Sequence, residues 1–257
     1  MVAGLLEPTG GQREYPELRC GPNSWVTIRR SIAFVAQRPE RWTGTVDDAL
    51  MLQAACFGDT GQKGKGLVDF YIARLGLTRH RHFTWGQLSG GYRTRFELAK
   101  AMLSHPKMLV LDEPLAALAI PSQMSFLRDI QDFATAFSPK MPVLISSQHI
   151  YEIEAFADHM IVIQDGKPIY NGPTRSVGEN RAVNGFEISY DLDATALASV
   201  LADCALKSIQ KLGSTDFFIT TEVPVTGRQV IGTLTLANAQ VRHFRDVSRS
   251  VRMFFET

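Results

Sequence analysis

The chain lacks most of the features that assign a protein class at a glance. It has no excess of charge of either sign: 27 Lys and Arg stand against 26 Asp and Glu, a formal charge of +1. The basic residues are scattered, so the clustered positive footprint of a nucleic-acid binder is missing and no nucleic-acid partner is expected. Long apolar runs are missing too, none approaching the roughly 18 residues that span a bilayer. Residues 1–6 are apolar but carry no basic stretch and meet Glu7 and Pro8 at once, so no secretory signal is expected. Cysteine is sparse. Cys20, Cys56 and Cys204 lie far apart and form no CxxC or Cys/His metal pattern, which suits a reduced, cytoplasmic compartment. There is no internal repeat and no low-complexity tract.

What remains is the composition of a soluble globular protein, 45% hydrophobic and 21% charged over 257 residues. Residues 23–37 alternate enough to suggest strands, with Ile32, Phe34 and Val35 the best candidates. Residues 45–77 read as mostly helical, broken by a turn-rich segment at 58–66, with residues 61–66 a flexible surface turn. Residues 84–91 read as a loop and 92–104 as a helix. Two short apolar runs, 108–111 and 143–145, each end in polar residues, as buried parallel strands do. Helices at about 121–137 and 151–157 separate them from a third run, 160–163, which leads through an Asp165–Gly166 turn to a strand at 168–170. The alternation predicts an α/β fold with a mostly parallel sheet. Residues 174–185 read as a linker. The remainder, 186–257, reads as a small α+β domain, with strands at 186–192, 216–223 and 229–236 and helices at 194–212 and 241–255.

Two motifs carry chemistry. Leu88-Ser89-Gly90-Gly91-Tyr92-Arg93 opens the helix over 92–104. Free backbone N–H groups and the helix dipole at such a start suit an anion such as phosphate. A serine-capped helix after a glycine turn reads equally well. Met108-Leu109-Val110-Leu111-Asp112-Glu113-Pro114 is an apolar strand ending in adjacent carboxylates, where parallel sheets gather their ligands. One carboxylate there can hold Mg²⁺ through water, and its neighbour can position and deprotonate an attacking water. The plainer reading is a strand followed by an acidic turn.

The order of these motifs, followed by a strand that runs out to His149, resembles the ATP-binding cassette (ABC) family over about residues 4–172. Ser89, Gly90 and Gly91 match its signature, residues 109–113 its second nucleotide motif. Gln37 matches the loop that contacts Mg²⁺ and faces the permease, and His149 the switch histidine that touches the γ-phosphate. The resemblance implies a P-loop NTPase-like ABC domain over residues 1–173, with a helical subdomain at about 45–105, that binds ATP and Mg²⁺. Glu113 and His149 would be catalytic. Gln37 and Asp112 would hold Mg²⁺, partly through water, beside this chain's own nucleotide, while Ser89, Gly90 and Gly91 would serve the nucleotide of a second cassette. The partners implied are that second cassette and an integral-membrane permease, which places the chain peripherally on the inner face of the cell membrane. The short interval from Gln37 to Leu88 and the small C-terminal domain suit an exporter.

The phosphate loop G-x-x-x-x-G-K-[ST] does not occur. Gly64-Lys65 is followed by Gly66, and Gly166-Lys167 by Pro168. In the family this loop precedes a helix ending in a sequence much like residues 2–11, so the expectation is a cassette lacking its N-terminal strand and phosphate loop. Such a chain should bind ATP weakly, and it could be a non-catalytic remnant or a helper that lends its signature to an intact partner. Ala119 stands where the family has the aspartate that couples the two sites, and Tyr92 replaces the glutamine after the signature.

Overall fold

The computed structural model describes residues 3–4, 6–11, 14–15, 25–136, 140–148, 150–191 and 193–255. The backbone groups into two compact units, residues 1–152 and 153–257.

In the first unit, α1 (Trp25–Ser31) leads into β1 (Ile32–Val35), followed by α2 (Val46–Cys56), α3 (Gly61–Arg74), α4 (Gly90–Met102), β2 (Met108–Asp112), α5 (Ile120–Ala136) and β3 (Val143–Ser146). The strands form one parallel sheet in the order β1-β2-β3. As expected of a parallel strand, β2 is apolar and buried at Leu109, Val110 and Leu111. Helix starts follow local chemistry. Thr45 and Asp48 form a reciprocal capping box at α2, and the Thr45 hydrogen bonds hold the Asp48 carboxyl below the usual carboxylate range. Along α5, Gln123, Phe126, Leu127, Ile130, Phe133 and Ala134 are buried at helical spacing.

Two expectations fail here. Residues 25–31, expected to be extended, form α1. The turn expected at 61–66 is the first part of α3. Its glycines mislead by propensity, yet Gly64 is there for packing. A β-carbon at that position would lie 2.2 Å from the Asp59 carbonyl oxygen.

The second unit carries the hairpin β4 (His159–Gln164) and β5 (Lys167–Pro173), preceded by α6 (Ile150–Glu154), which crosses the division between the units. Asp165 and Gly166 both have positive φ, the primed turn that Asp-Gly favours. The stretch expected as a linker holds a short helical turn, Thr174–Ser176, and a buried Val177. Then come β6 (Val183–Tyr190), α7 (Ala194–Val200), β7 (Leu206–Lys211), β8 (Asp216–Glu222), α8 (Gly227–Leu236) and β9 (Val241–Asp246). The four strands pair antiparallel in the order β7-β8-β6-β9. This is a βαββαβ ("split βαβ") module. Leu197 of α7 and Val230 and Leu234 of α8 close its core against Phe186, Ile188, Phe217 and Ile219.

The α+β class of this region is as expected, but three of its elements differ. Residues 229–236, rich in β-branched residues, form α8 because Thr226 and Gln229 cap each other reciprocally. The helix expected to run to 212 stops at Val200, with Ala205 at φ 43 turning the chain into β7. The helix expected over 241–255 is β9 and a short helical turn, Val251–Phe254.

Two substitutions test this packing. Gly→Ala inside a helix ordinarily stabilises by about 1 kcal/mol. At Gly64 it is expected to destabilise instead, read as a lower midpoint in urea unfolding. Leu234→Ala should cost about 2–5 kcal/mol through the cavity it leaves.

Candidate functional site

The register of the parallel sheet sets Val35 beside Leu111 and Leu111 beside Ile145. Residues leaving the three carboxyl ends therefore emerge along one edge, where such sheets bind ligands. Those residues are Gln37 after β1, Asp112 and Glu113 at the end of β2, and Ser146 to Gln148 at the end of β3. Gln37 is exposed, while Asp112 and Glu113 are half-buried. His149 lies outside the described residues.

Asp112 and Ser146 are register partners, and the Ser146 hydroxyl donates to Asp112 Oδ1 at 2.5 Å. The next residue leaves the strand abruptly: Glu113 sits at φ 47, the left-handed region. A side-chain-bearing residue there costs about 1–2 kcal/mol. The position is held from β3. The Glu113 N–H donates both to the Ser146 carbonyl at 3.1 Å and to the Ser146 hydroxyl oxygen at 3.2 Å. The Gln148 N–H donates to Glu113 Oε2 at 3.2 Å. Ser146 thus fixes both carboxylate residues. Sequence reasoning passed over it, and its only signal was its place at the end of a strand parallel to β2.

Ser89 is the N-cap of α4, its hydroxyl accepting from the Tyr92 N–H at 3.4 Å. Of the two sequence readings the cap is present, and it leaves the anion reading open, because the first N–H groups of a helix have no partner within it. Gly90 and Gly91 are explained by packing as well. A β-carbon on Gly90 would meet Ala117 Cβ at 3.1 Å, and one on Gly91 would meet Leu118 Cδ2 at 3.1 Å. The chain leaving Glu113 therefore packs closely on Gly90 and Gly91 at the start of α4.

A groove of about 600 Å³ opens between the loop that follows Gln37 and the signature helix. Residues 41–44 line one wall; residues 84–86 and Arg93 line the other. Trp42 stacks on the buried Phe96 with ring centroids 3.8 Å apart and meets Trp85 edge-on. Arg93 lies over the Trp85 ring and donates from Nε to the Trp85 carbonyl. One turn further along α4, burial pushes the Glu97 carboxyl up, with Lys100 partly opposing it.

No group of three or more His, Cys, Asp or Glu that could hold a metal occurs among the described residues. The arrangement still fits Mg²⁺, which is ordinarily held by one or two carboxylates together with substrate phosphates. Asp112 supplies such a carboxylate. No helix among the described residues is long and apolar enough to cross a membrane.

The Glu97 folded-state pKa is raised, so the stability of its neutral form is complete below the unfolded value of about 4.3 and is lost as pH rises through the folded value. Glu97→Gln should therefore be more stable than the parent at about pH 8 and lose that advantage toward pH 4. Paired denaturation curves at the two pH values check this.

Comparison with known proteins agrees with the geometry. Residues 1–116 match the family described as ABC transporter. The molybdenum import ATP-binding protein ModC of Shewanella oneidensis is 29% identical over 167 residues, 64% of this chain and 46% of that protein. The ABC transporter ATP-binding protein YxlF of Bacillus subtilis is 27% identical over 190 residues, 74% of this chain and 61% of that one. The chain thus spans about half the length of these curated relatives. Among solved structures, cbiO1 from Clostridium perfringens, part of an ABC transporter complex, superposes with a TM-score of 0.60 at 21% identity, over 68% of this chain and 70% of its own. A dimeric ATP-binding cassette bound to ADP and Pi gives 0.59 at 20% identity, over 67% and 77%. These two share the fold. Motif order, sheet-edge geometry and family match converge: over residues 1–116 the chain matches the ABC transporter family, and its fold is that of ATP-binding cassettes.

Proposed function

We propose that the chain is an ATP-binding and hydrolysing subunit of an ABC transporter, coupled to a separate membrane permease at the inner face of the cell membrane. The observation that carries the reading is the seating of Asp112 and Glu113 by Ser146 at the carboxyl edge of the sheet, with the same loop packed onto Ser89, Gly90 and Gly91.

In this reading Glu113 orients and deprotonates the water that attacks the γ-phosphate in line. Asp112, with Gln37, holds Mg²⁺ partly through water, and the ion when bound offsets the phosphate charge. His149 contacts the γ-phosphate. Ser89, Gly90 and Gly91 close over nucleotide held by a second cassette. The groove between residues 41–44 and Arg93 is the permease contact, because it touches both the loop after Gln37 and the signature helix. The sequence features suit export, whereas the ModC relatives are named for molybdenum import.

A second reading has an observation of its own. The 257 residues contain no G-x-x-x-x-G-K-[ST], so the charge-assisted contacts of that loop, each about 1.5–3 kcal/mol, are missing from the chain. The chain would then be a helper cassette that lends its signature to an intact partner.

One measurement tests the effect of the missing loop, and a second separates the readings. The purified chain alone is expected to bind Mg-ATP weakly by calorimetry; tight binding would show that other residues grip the phosphates. In membranes carrying the chain with its permease, Glu113→Gln should lower phosphate release by about 10²–10⁴-fold. Unchanged release would favour the helper reading.

A further inference from the structure

The loop between Glu113 and α5 presses on the signature, yet it is short of side-chain anchors of its own. Residues 115–119 are Leu, Ala, Ala, Leu and Ala, so no polar side chain within the turn can hold it. The anchor comes from the first turns of α5. Gln123 is 2% exposed, and its Nε2 donates to the Leu115 carbonyl at 3.4 Å and to the Leu118 carbonyl at 3.3 Å. Two carbonyl acceptors dictate which way the amide points, since Oε1 facing them would oppose both. That Oε1 is buried with no hydrogen-bond partner among the described residues. Leaving a buried acceptor unpaired is unfavourable, so the side chain is kept at this place by its donor bonds. The residues lying between its two acceptors include Ala117, whose Cβ and carbonyl stand where a Gly90 side chain would begin.

We propose that Gln123 is a positioning residue. By clamping the turn over residues 115–118 it seats Gly90 and Gly91, and so sets the signature relative to the carboxylate edge. The functional meaning rests on the ATP-binding subunit reading above; the clamp itself does not.

The test is residue-resolved amide hydrogen exchange on the full chain without nucleotide, so that loss of the ATPase reading leaves the result interpretable. The Ala116 and Leu118 amides bond within the turn, and the Tyr92 and Arg93 amides bond to Ser89. Gln123→Met keeps the shape and removes the donor. It is expected to speed exchange about tenfold at all four amides while the amides of β6 and β8 keep their rates. Gln123→Glu, which sets acceptor against acceptor, should do more. Ala117→Gly cuts the contact from the other side and should speed Tyr92 and Arg93; it serves as the test if neither Gln123 variant folds. Faster exchange at Ala116 and Leu118 with parent rates at Tyr92 and Arg93 would overturn the proposal. So would uniform acceleration across the chain, the mark of a merely global loss of stability.

Discussion

One hydroxyl holds the carboxylate edge together. Ser146 donates to Asp112 and accepts from the Glu113 N–H, so a single side chain on β3 seats the last residue of β2 and the one that follows it. The balance favours the arrangement. Left-handed backbone at Glu113 costs about 1–2 kcal/mol, whereas each hydrogen bond returns about 0.5–1.5 kcal/mol, and those to charged groups more. Strain of this kind is kept where surroundings over-determine it. The surroundings here are the parallel register. A one-residue slip of β3 would turn Ser146 to the opposite face and leave Glu113 without its support.

From that edge the geometry spreads outward through packing. The chain leaving Glu113 turns under the Gln123 amide and meets the signature glycines with Ala117 and Leu118. A β-carbon at either glycine would require Ala117 or Leu118 to give by a few tenths of an ångström. On the other side of α4, Phe96 anchors the Trp42 ring, which ties the loop after Gln37 to the signature helix. Protein interiors resist small volume changes, so displacement of either loop is felt by the other. The loop after Gln37 also lines the groove, opposite residues 84–86 and Arg93.

The appended module follows separate rules. Its sheet buries Phe186, Ile188, Phe217 and Ile219 under two helices, and each helix start is set by a side-chain cap, Asp193 for α7 and Thr226 for α8. The Thr226–Gln229 box was visible in the sequence as Thr-x-x-Gln. The β-branched run that follows, Val230 to Thr235, outweighed it in a reading by propensity. Burial of Val230 and Leu234, four residues apart on one face, decided for helix.

Local signals were sufficient for β1, β2, β3, α4 and α5, because an apolar run, a serine cap or a helical stripe is written in consecutive residues. They also marked Asp112, Glu113 and the Ser89–Gly91 trio as candidates, whereas Gln37 was named only through the resemblance to the ABC family. The sequence by itself therefore determined the α/β class and the chemistry that the edge can offer. Only the tertiary structure decided that Ser146 supports both carboxylate residues, that Gln123 bonds the carbonyls of Leu115 and Leu118, that Gly64 is required by close approach, and that Gly90 and Gly91 pack closely on Ala117 and Leu118. The reason is physical. Each of these depends on atoms brought together by strand register or helix packing from separate segments of chain, and no short-range pattern records such a meeting.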